Sequence, residues 1–137
     1  MAIALTKFTC FATDIGLKKH NLNTDTIKAA LTNTAPTAGD TVFTIGAYPA
    51  PAAANGYTAL GDDTNNVFSA GKMTGTDIVV TATAGGIGPF RYVILYNDTA
   101  TNDELVGWYD YGTSITLASG ETFTIDFDAS AGILTIT

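Results

Sequence analysis

Apolar and polar residues alternate strictly through Thr122-Phe123-Thr124-Ile125-Asp126-Phe127. Successive side chains leave opposite faces of a strand, so Phe123, Ile125 and Phe127 share one face and predict a half-buried β-strand. Ile115 and Leu117 repeat the pattern upstream, and Ala118-Ser119-Gly120-Glu121 supplies a short turn with a glycine free to take positive φ. This reads as a β-hairpin. Asp128 to Gly132 is the next turn, and Ile133 to Thr137 a final strand. Tyr92-Val93-Ile94-Leu95-Tyr96 is apolar without alternation and is bounded by Gly88-Pro89 and Asn97-Asp98, which predicts a central strand covered on both faces. Leu105 to Tyr111 should pair with it, and Asp77 to Thr83 is a further strand. Shorter candidates are Thr41 to Ile45, Gly56 to Leu60 and Val67 to Ala70.

Two segments admit two readings. Phe8, Phe11 and Ile15 are spaced by three and four, which suits one helical turn or two. Thr26 to Thr32 fits a strand with Ile27, Ala29 and Leu31 inward, or a helix grouping Ile27, Ala30 and Leu31; the threonines and the following Asn33-Thr34-Ala35-Pro36 favour the strand. Tyr48 to Gly56, with two prolines among alanines, predicts an extended surface loop. The chain of 137 residues thus reads as a single all-β domain, a jelly-roll-like β-sandwich. Turn signals at strand-length intervals suggest about seven to nine short antiparallel strands. Residues 1–11 form either an N-terminal arm or the first strand.

Composition sharpens this picture. The chain holds 24 Thr but only 2 Glu and no Gln, so β-branched strand formers replace the usual helix formers. Thirteen carboxylates against six Lys and Arg leave a formal charge of −7. Nucleic acid and anionic membranes call for clustered cations, so neither is an expected partner. No stretch approaches the length of a transmembrane helix, and the N-terminal run reads as no signal peptide. The single Cys10 forms no internal disulfide, which fits synthesis in a reducing cytoplasm.

Candidate chemistry is sparse. His20 is the only histidine and sits in the polar run Lys18-Lys19-His20-Asn21, which reads as exposed surface. Cys10 between Thr9 and Phe11 reads as a small packed residue, because a reactive thiolate wants neighbouring cations or a helix N-terminus. Asp126 and Asp128 could flank a sugar, with Trp108, Tyr109 and Tyr111 as walls, but an alternating strand and a turn explain both acids as solvated groups. Asp62-Asp63-Thr64-Asn65-Asn66 lacks the spaced acids and terminal Glu of a calcium loop. Gly85-Gly86-Ile87-Gly88 opens no helix and precedes no lysine, so it is no phosphate loop. Asn97-Asp98-Thr99 matches the glycosylation triplet, which means little without a secretory signal. No catalytic residue, cofactor or metal site is expected. The remaining candidates are contact residues: Ile3, Leu5, Phe8 and Phe11 in a terminal segment more apolar than a free end requires, and Trp108, Tyr109 and Tyr111. Trp108 faces opposite to the two tyrosines, so that one face fills the core, the favoured reading for these rings, and the other offers them to a partner.

Three stretches carry a resemblance. HNLNTDTIKAALTNTAP (His20 to Pro36), GPFRYVILYND (Gly88 to Asp98) and GWYDYGTSITLASGETFTIDFD (Gly107 to Asp128) are similar to a group of small tailed-bacteriophage and prophage proteins, of the capsid decoration or cement type where placed in virions. Close likeness covers about 50 of the 137 positions, Asn55-Gly56-Tyr57 matches a recurrent triplet, and the Pro/Ala stretch departs from the pattern. The resemblance implies a β-rich homotrimer on the outer surface of the phage head, bound to the major capsid protein and stabilising the lattice. Two other readings stay open: a tail or fibre component, and a small carbohydrate-binding module resting on Trp108.

Overall fold

The computed structural model describes residues 3–136, and the fold is all-β with one short helix. In chain order the elements are β1 (Thr6–Lys7), α1 (Cys10–Gly16), β2 (Ile27–Thr32), β3 (Asp62–Asp63), β4 (Val67–Ser69), β5 (Lys72–Thr74), β6 (Ile78–Thr81), β7 (Ile87–Asn97), β8 (Leu105–Leu117), β9 (Thr122–Ile125) and β10 (Leu134–Thr135). They form a five-stranded sheet ordered β1-β8-β7-β2-β3, a three-stranded sheet ordered β10-β5-β4, and the pair β6-β9. All described pairings are antiparallel.

The five-stranded sheet divides two cores. From β2, Ile27, Ala29 and Leu31 enter one core while Ala30 enters the other. From β7, Val93 and Leu95 enter the first, and Tyr92, Ile94 and Tyr96 the second. That is the period of two expected of a strand covered on both faces. The first core is completed by the smaller sheets, through Met73, Val80, Phe123, Ile125 and Leu134, together with Phe11 of α1. The arrangement is sandwich-like. The second core is closed by Phe8 and by an irregular segment, residues 33–61, which lays Phe43 and Tyr48 over the sheet. Phe43 stacks on Tyr96 with ring centroids 4.1 Å apart.

Several expectations need correction. The ten strands exceed the seven to nine expected, because β1, β3 and β10 are only two residues long. The segments 115–117 and 122–127 do not form a hairpin: β8 stays paired with β7, and β9 pairs with β6 in another sheet. The turn between them is present, with Gly120 at φ 89° and Glu121 N–H donating to the Ala118 carbonyl, but it carries the chain between layers. Thr41 to Ile45 contributes only an isolated bridge from Val42 to Glu104, and Gly56 to Leu60 forms no strand. Tyr48 is not on the surface but 1% exposed, its hydroxyl donating to the Asp40 carboxylate. Thr137, placed in the final strand by the sequence pattern, lies outside the described residues.

The Asn55-Gly56-Tyr57 triplet shows how that irregular segment is held. Asn55 Nδ2 donates to the Gly86 carbonyl at 3.1 Å, and its own carbonyl accepts from Thr83 N–H at 2.8 Å. Gly56 has φ 96° with the Thr81 carbonyl where a Cβ would lie, so only glycine fits. The Tyr57 hydroxyl accepts from Leu31 N–H at 3.0 Å, satisfying a buried backbone donor of β2.

Leu95 is fully buried on the central strand, whereas Val79 is 58% exposed on β6. Leu95→Ala should therefore cost about 2–5 kcal/mol of unfolding free energy in urea titrations. Val79→Ala should stay within about 0.5 kcal/mol.

Candidate functional site

The densest grouping of chemically capable side chains lies where α1, the following turn and the β7–β8 connection meet. His20 is not exposed: its ring is fully covered and stacks on Phe11 with centroids 5.5 Å apart. The polar run around it suggests surface because Lys18, Lys19 and Asn21 do face solvent; only the third residue of the four turns inward. Asn97, at the end of β7 and 0% exposed, is the hub of the contacts. Its Nδ2 donates to Asp25 Oδ2 at 2.8 Å and lies 3.0 Å from His20 Nδ1. An amide nitrogen has only hydrogens to offer, so His20 Nδ1 accepts and the proton sits on Nε2. Asn97 Oδ1 in turn accepts from Thr99 and Ala100 N–H, both at 3.0 Å. With both ends engaged and no exposure, the glycosylation-like triplet is a turn-capping device.

His20 Nε2 faces Asp14 Oδ2 across 4.0 Å, and neither atom has a hydrogen-bond partner among the described residues. Asp14 is buried on α1, and Lys19 Nζ stands 3.5 Å from its Oδ1 and 3.8 Å from Glu104 Oε1, bridging two buried carboxylates. Glu104 also accepts from Asn102 N–H at 3.2 Å. Burial pushes the His20 pKa below the ordinary imidazole value, with the nearby Asp14, Glu104 and Asp25 charges opposing and Lys19 reinforcing the shift. The ring is held neutral near pH 7.

Beside this cluster opens a cavity of about 550 Å³ lined by Cys10, Asp14, Lys19 and Glu104 among others. The Cys10 thiol lies 3.7 Å from the Leu105 carbonyl and 3.8 Å from that of Thr41. Burial and then the adjacent Asp14 carboxylate push its pKa up to about 11, so it is a protonated, partly packed thiol. The cavity therefore gathers acids, a lysine and an inert thiol, while the one imidazole is sealed behind Phe11. No group of three or more metal-ligating side chains that could hold an ion occurs among the described residues.

The other sequence candidates are dispersed. Thr6–Lys7 pairs with Gly107 and Trp108 as the edge of the large sheet, so residues 6–7 take the first-strand form. Phe8 and Phe11 are 2% and 4% exposed in the chain's own cores, while Ile3 and Leu5 pack partly against the first core. Met1 and Ala2, the start of the arm considered above, lie outside the described residues. Tyr109 is buried against Phe127, and burial pushes its hydroxyl up to about 12. Trp108 leans on Phe8 on the opposite face, with centroids 4.6 Å apart, and only Tyr111, edge-on to Phe123, is 40% exposed. The three rings thus form no common exposed platform. Asp128 caps its turn by accepting from Ser130 and Ala131 N–H, which holds its carboxyl below the usual range. In the Asp62 to Asn66 run, Asn66 is buried and bonds Leu22 and Ile27. Its role is internal.

No protein-family model, curated protein or solved structure matches the chain. No helix among the described residues is long and apolar enough to cross a membrane.

A neutral, desolvated His20 gives a signed expectation. The unfolded chain takes up a proton near pH 6.5 and the folded one only lower, so stability is fully present above 6.5 and falls as pH drops through that window. In urea titrations at pH 8, 6.5 and 5, wild type should lose stability more steeply on acidification than His20→Gln. Parallel pH profiles would show that the imidazole is not the group responsible.

Proposed function

We propose that the chain is a structural component of a tailed-phage particle: a decoration protein on the outside of the head, bound as a homotrimer to the major capsid protein. The observation that carries this reading is the mapping of the three resembling stretches onto one continuous framework. His20 to Pro36 supplies β2 and the Asp25–His20 side of the polar cluster, Gly88 to Asp98 supplies most of β7 and its hub Asn97, and Gly107 to Asp128 supplies most of β8 together with β9. Residues that are scattered along the chain become three adjacent strands of the five-stranded sheet. The likeness thus concerns a scaffold, as suits a protein whose work is to occupy a place on a lattice.

The chemistry of the polar cluster supports the same reading. Its imidazole is covered, its thiol is protonated, and its carboxylates are bridged by Lys19. These groups cross-link α1, the turn after it and the β7–β8 connection. Decoration then acts by mass action, because a molecule that binds only the mature lattice stabilises it by its binding free energy. Trimeric attachment adds avidity, each protomer's contact becoming intramolecular once the first has bound.

Heads assembled without the protein should release DNA at a lower temperature than complete heads, and adding back the purified protein should restore the difference. Light scattering with a DNA-binding dye reads the release. Identical release temperatures would count against stabilisation, and immunogold labelling of intact particles would show whether the protein sits on head or tail.

A further inference from the structure

The two edges of the large sheet carry opposite charge in the same row. Following the register across the strands, Lys7 pairs with Gly107, Gly107 with Leu95, Leu95 with Ala29, and Ala29 with Asp62. One edge therefore ends in Lys7 and the other in Asp62–Asp63. Four antiparallel pairings separate β1 from β3, so the two edge strands run in the same direction. A second copy displaced along the hydrogen-bonding direction brings β3 of one molecule beside β1 of the next.

The surroundings of each edge extend the match. Outside β1 lies a groove of about 480 Å³ between α1 and β10, lined by Phe8, Phe11, Ala12, Ile15 and Ile136 with Lys7 at its rim. Lys7 Nζ donates to the Thr135 carbonyl of β10 at 3.2 Å, which holds its ammonium at the rim of the groove. A contiguous hollow shares Ile15 and Ile136 and adds Lys18. None of the described residues lining either hollow is acidic, although acids outnumber Lys and Arg by 13 to 6 in the whole chain. At the opposite edge, Leu60 stands 42% exposed two residues before Asp62. An apolar knob flanked by carboxylates faces away from one side, and an apolar slot flanked by ammonium groups opens on the other.

We propose that this groove receives the Leu60–Asp63 edge of a second copy of the chain, in a heterologous, head-to-tail contact. Two different surfaces meet at such a contact, and it closes into a ring when the rotation between copies permits. The contact does not depend on placement in a virion, because it is measured on the purified protein without any shell.

The test uses two variants and their mixture. Lys7→Glu/Lys18→Glu reverses the groove, and Asp62→Lys/Asp63→Lys reverses the edge; circular dichroism and urea midpoints check that each folds. In sedimentation velocity over a concentration series, wild type should associate, and each variant alone should do so about tenfold more weakly. An equimolar mixture should recover pairing between unlike variants, since the reversed groove meets the reversed edge and the native groove meets the native edge, while a ring with an odd number of copies cannot alternate the two and stays open. Leu60→Glu, which leaves the charged residues in place, should weaken association to a similar extent. Wild type that stays monomeric overturns the proposal, with Lys7 then guarding a bare edge or the groove receiving another protein. Variants that associate as wild type does, or a mixture that forms no more dimer than either variant alone, overturn it equally.

Discussion

Strands β2 and β7 present apolar side chains on both faces, and everything else in the structure answers to that constraint. A sheet buried on one side needs one cover; this one needs two. The smaller sheets cover one face with the alternating residues of β6, β9, β5 and β10. The other face is closed chiefly by irregular backbone. A loop can act as a wall here because its anchors are aromatic: Phe43 and Tyr48 bring large area on few residues. The tyrosine hydroxyls that this buries find partners, Tyr48 on Asp40 and Tyr96 on the Leu60 carbonyl, and Tyr57, which enters the first core, accepts from Leu31 N–H. Each hydroxyl bond also ties one part of the irregular segment to the sheet or to itself, so covering and anchoring are one event.

The same logic explains the buried polar cluster. The end of the β7–β8 ladder must turn, and turning leaves backbone donors without ladder partners. Asn97 satisfies two of them with its oxygen, then spends its amide hydrogens on Asp25 and His20. Burying Asn97 therefore draws His20 inward, and His20 draws Phe11 of α1 over itself. Lys19 stands between Asp14 and Glu104, its Nζ 3.5 Å from one carboxylate and 3.8 Å from the other, so each buried acid faces a cation. The helix is consequently fastened to the sheet by polar contacts on one side and, on the other, by its own Phe11 and by Phe8 in the segment leading into it, each in a separate core.

What the sequence disclosed follows from how local each signal is. The fold class, the faces of Phe123, Ile125 and Phe127, the two-sided burial of Tyr92 to Tyr96 and the strand at Ile27–Thr32 were all legible, because period and composition act on the strand that carries them. Pairing was less so. The turn at Ala118 to Glu121 has hairpin chemistry, yet it joins two layers, since the partner of β9 is decided by core packing with β6. The burial of Tyr48 and His20 was illegible for the same reason. Each sits in a locally polar or proline-rich run, and what buries it depends on a residue far away in sequence: Tyr48 stacks on Phe43, which itself stacks on Tyr96 of β7, and His20 meets Asn97. Among the contact candidates, Phe8 and Phe11 read as more apolar than a free terminus requires and Tyr109 as a core or interface ring; all three are buried in the chain's own cores.

This division bears on what a resemblance can convey. The three stretches on which the proposed resemblance rests contribute β2, most of β7 and β8, and the hub Asn97; β2 and β7 are buried on both faces and costly to change, whereas the outer half of β8 is exposed. Lys7, Lys18, Leu60, Asp62 and Asp63 all lie outside those stretches, on edges where side chains are exposed and substitution costs the fold little. A scaffold can therefore be shared while its contacts differ. Buried strands constrain architecture, whereas a choice of neighbour would be carried by the two edges, where Lys7 and Asp62 stand at opposite ends of a single row of the sheet.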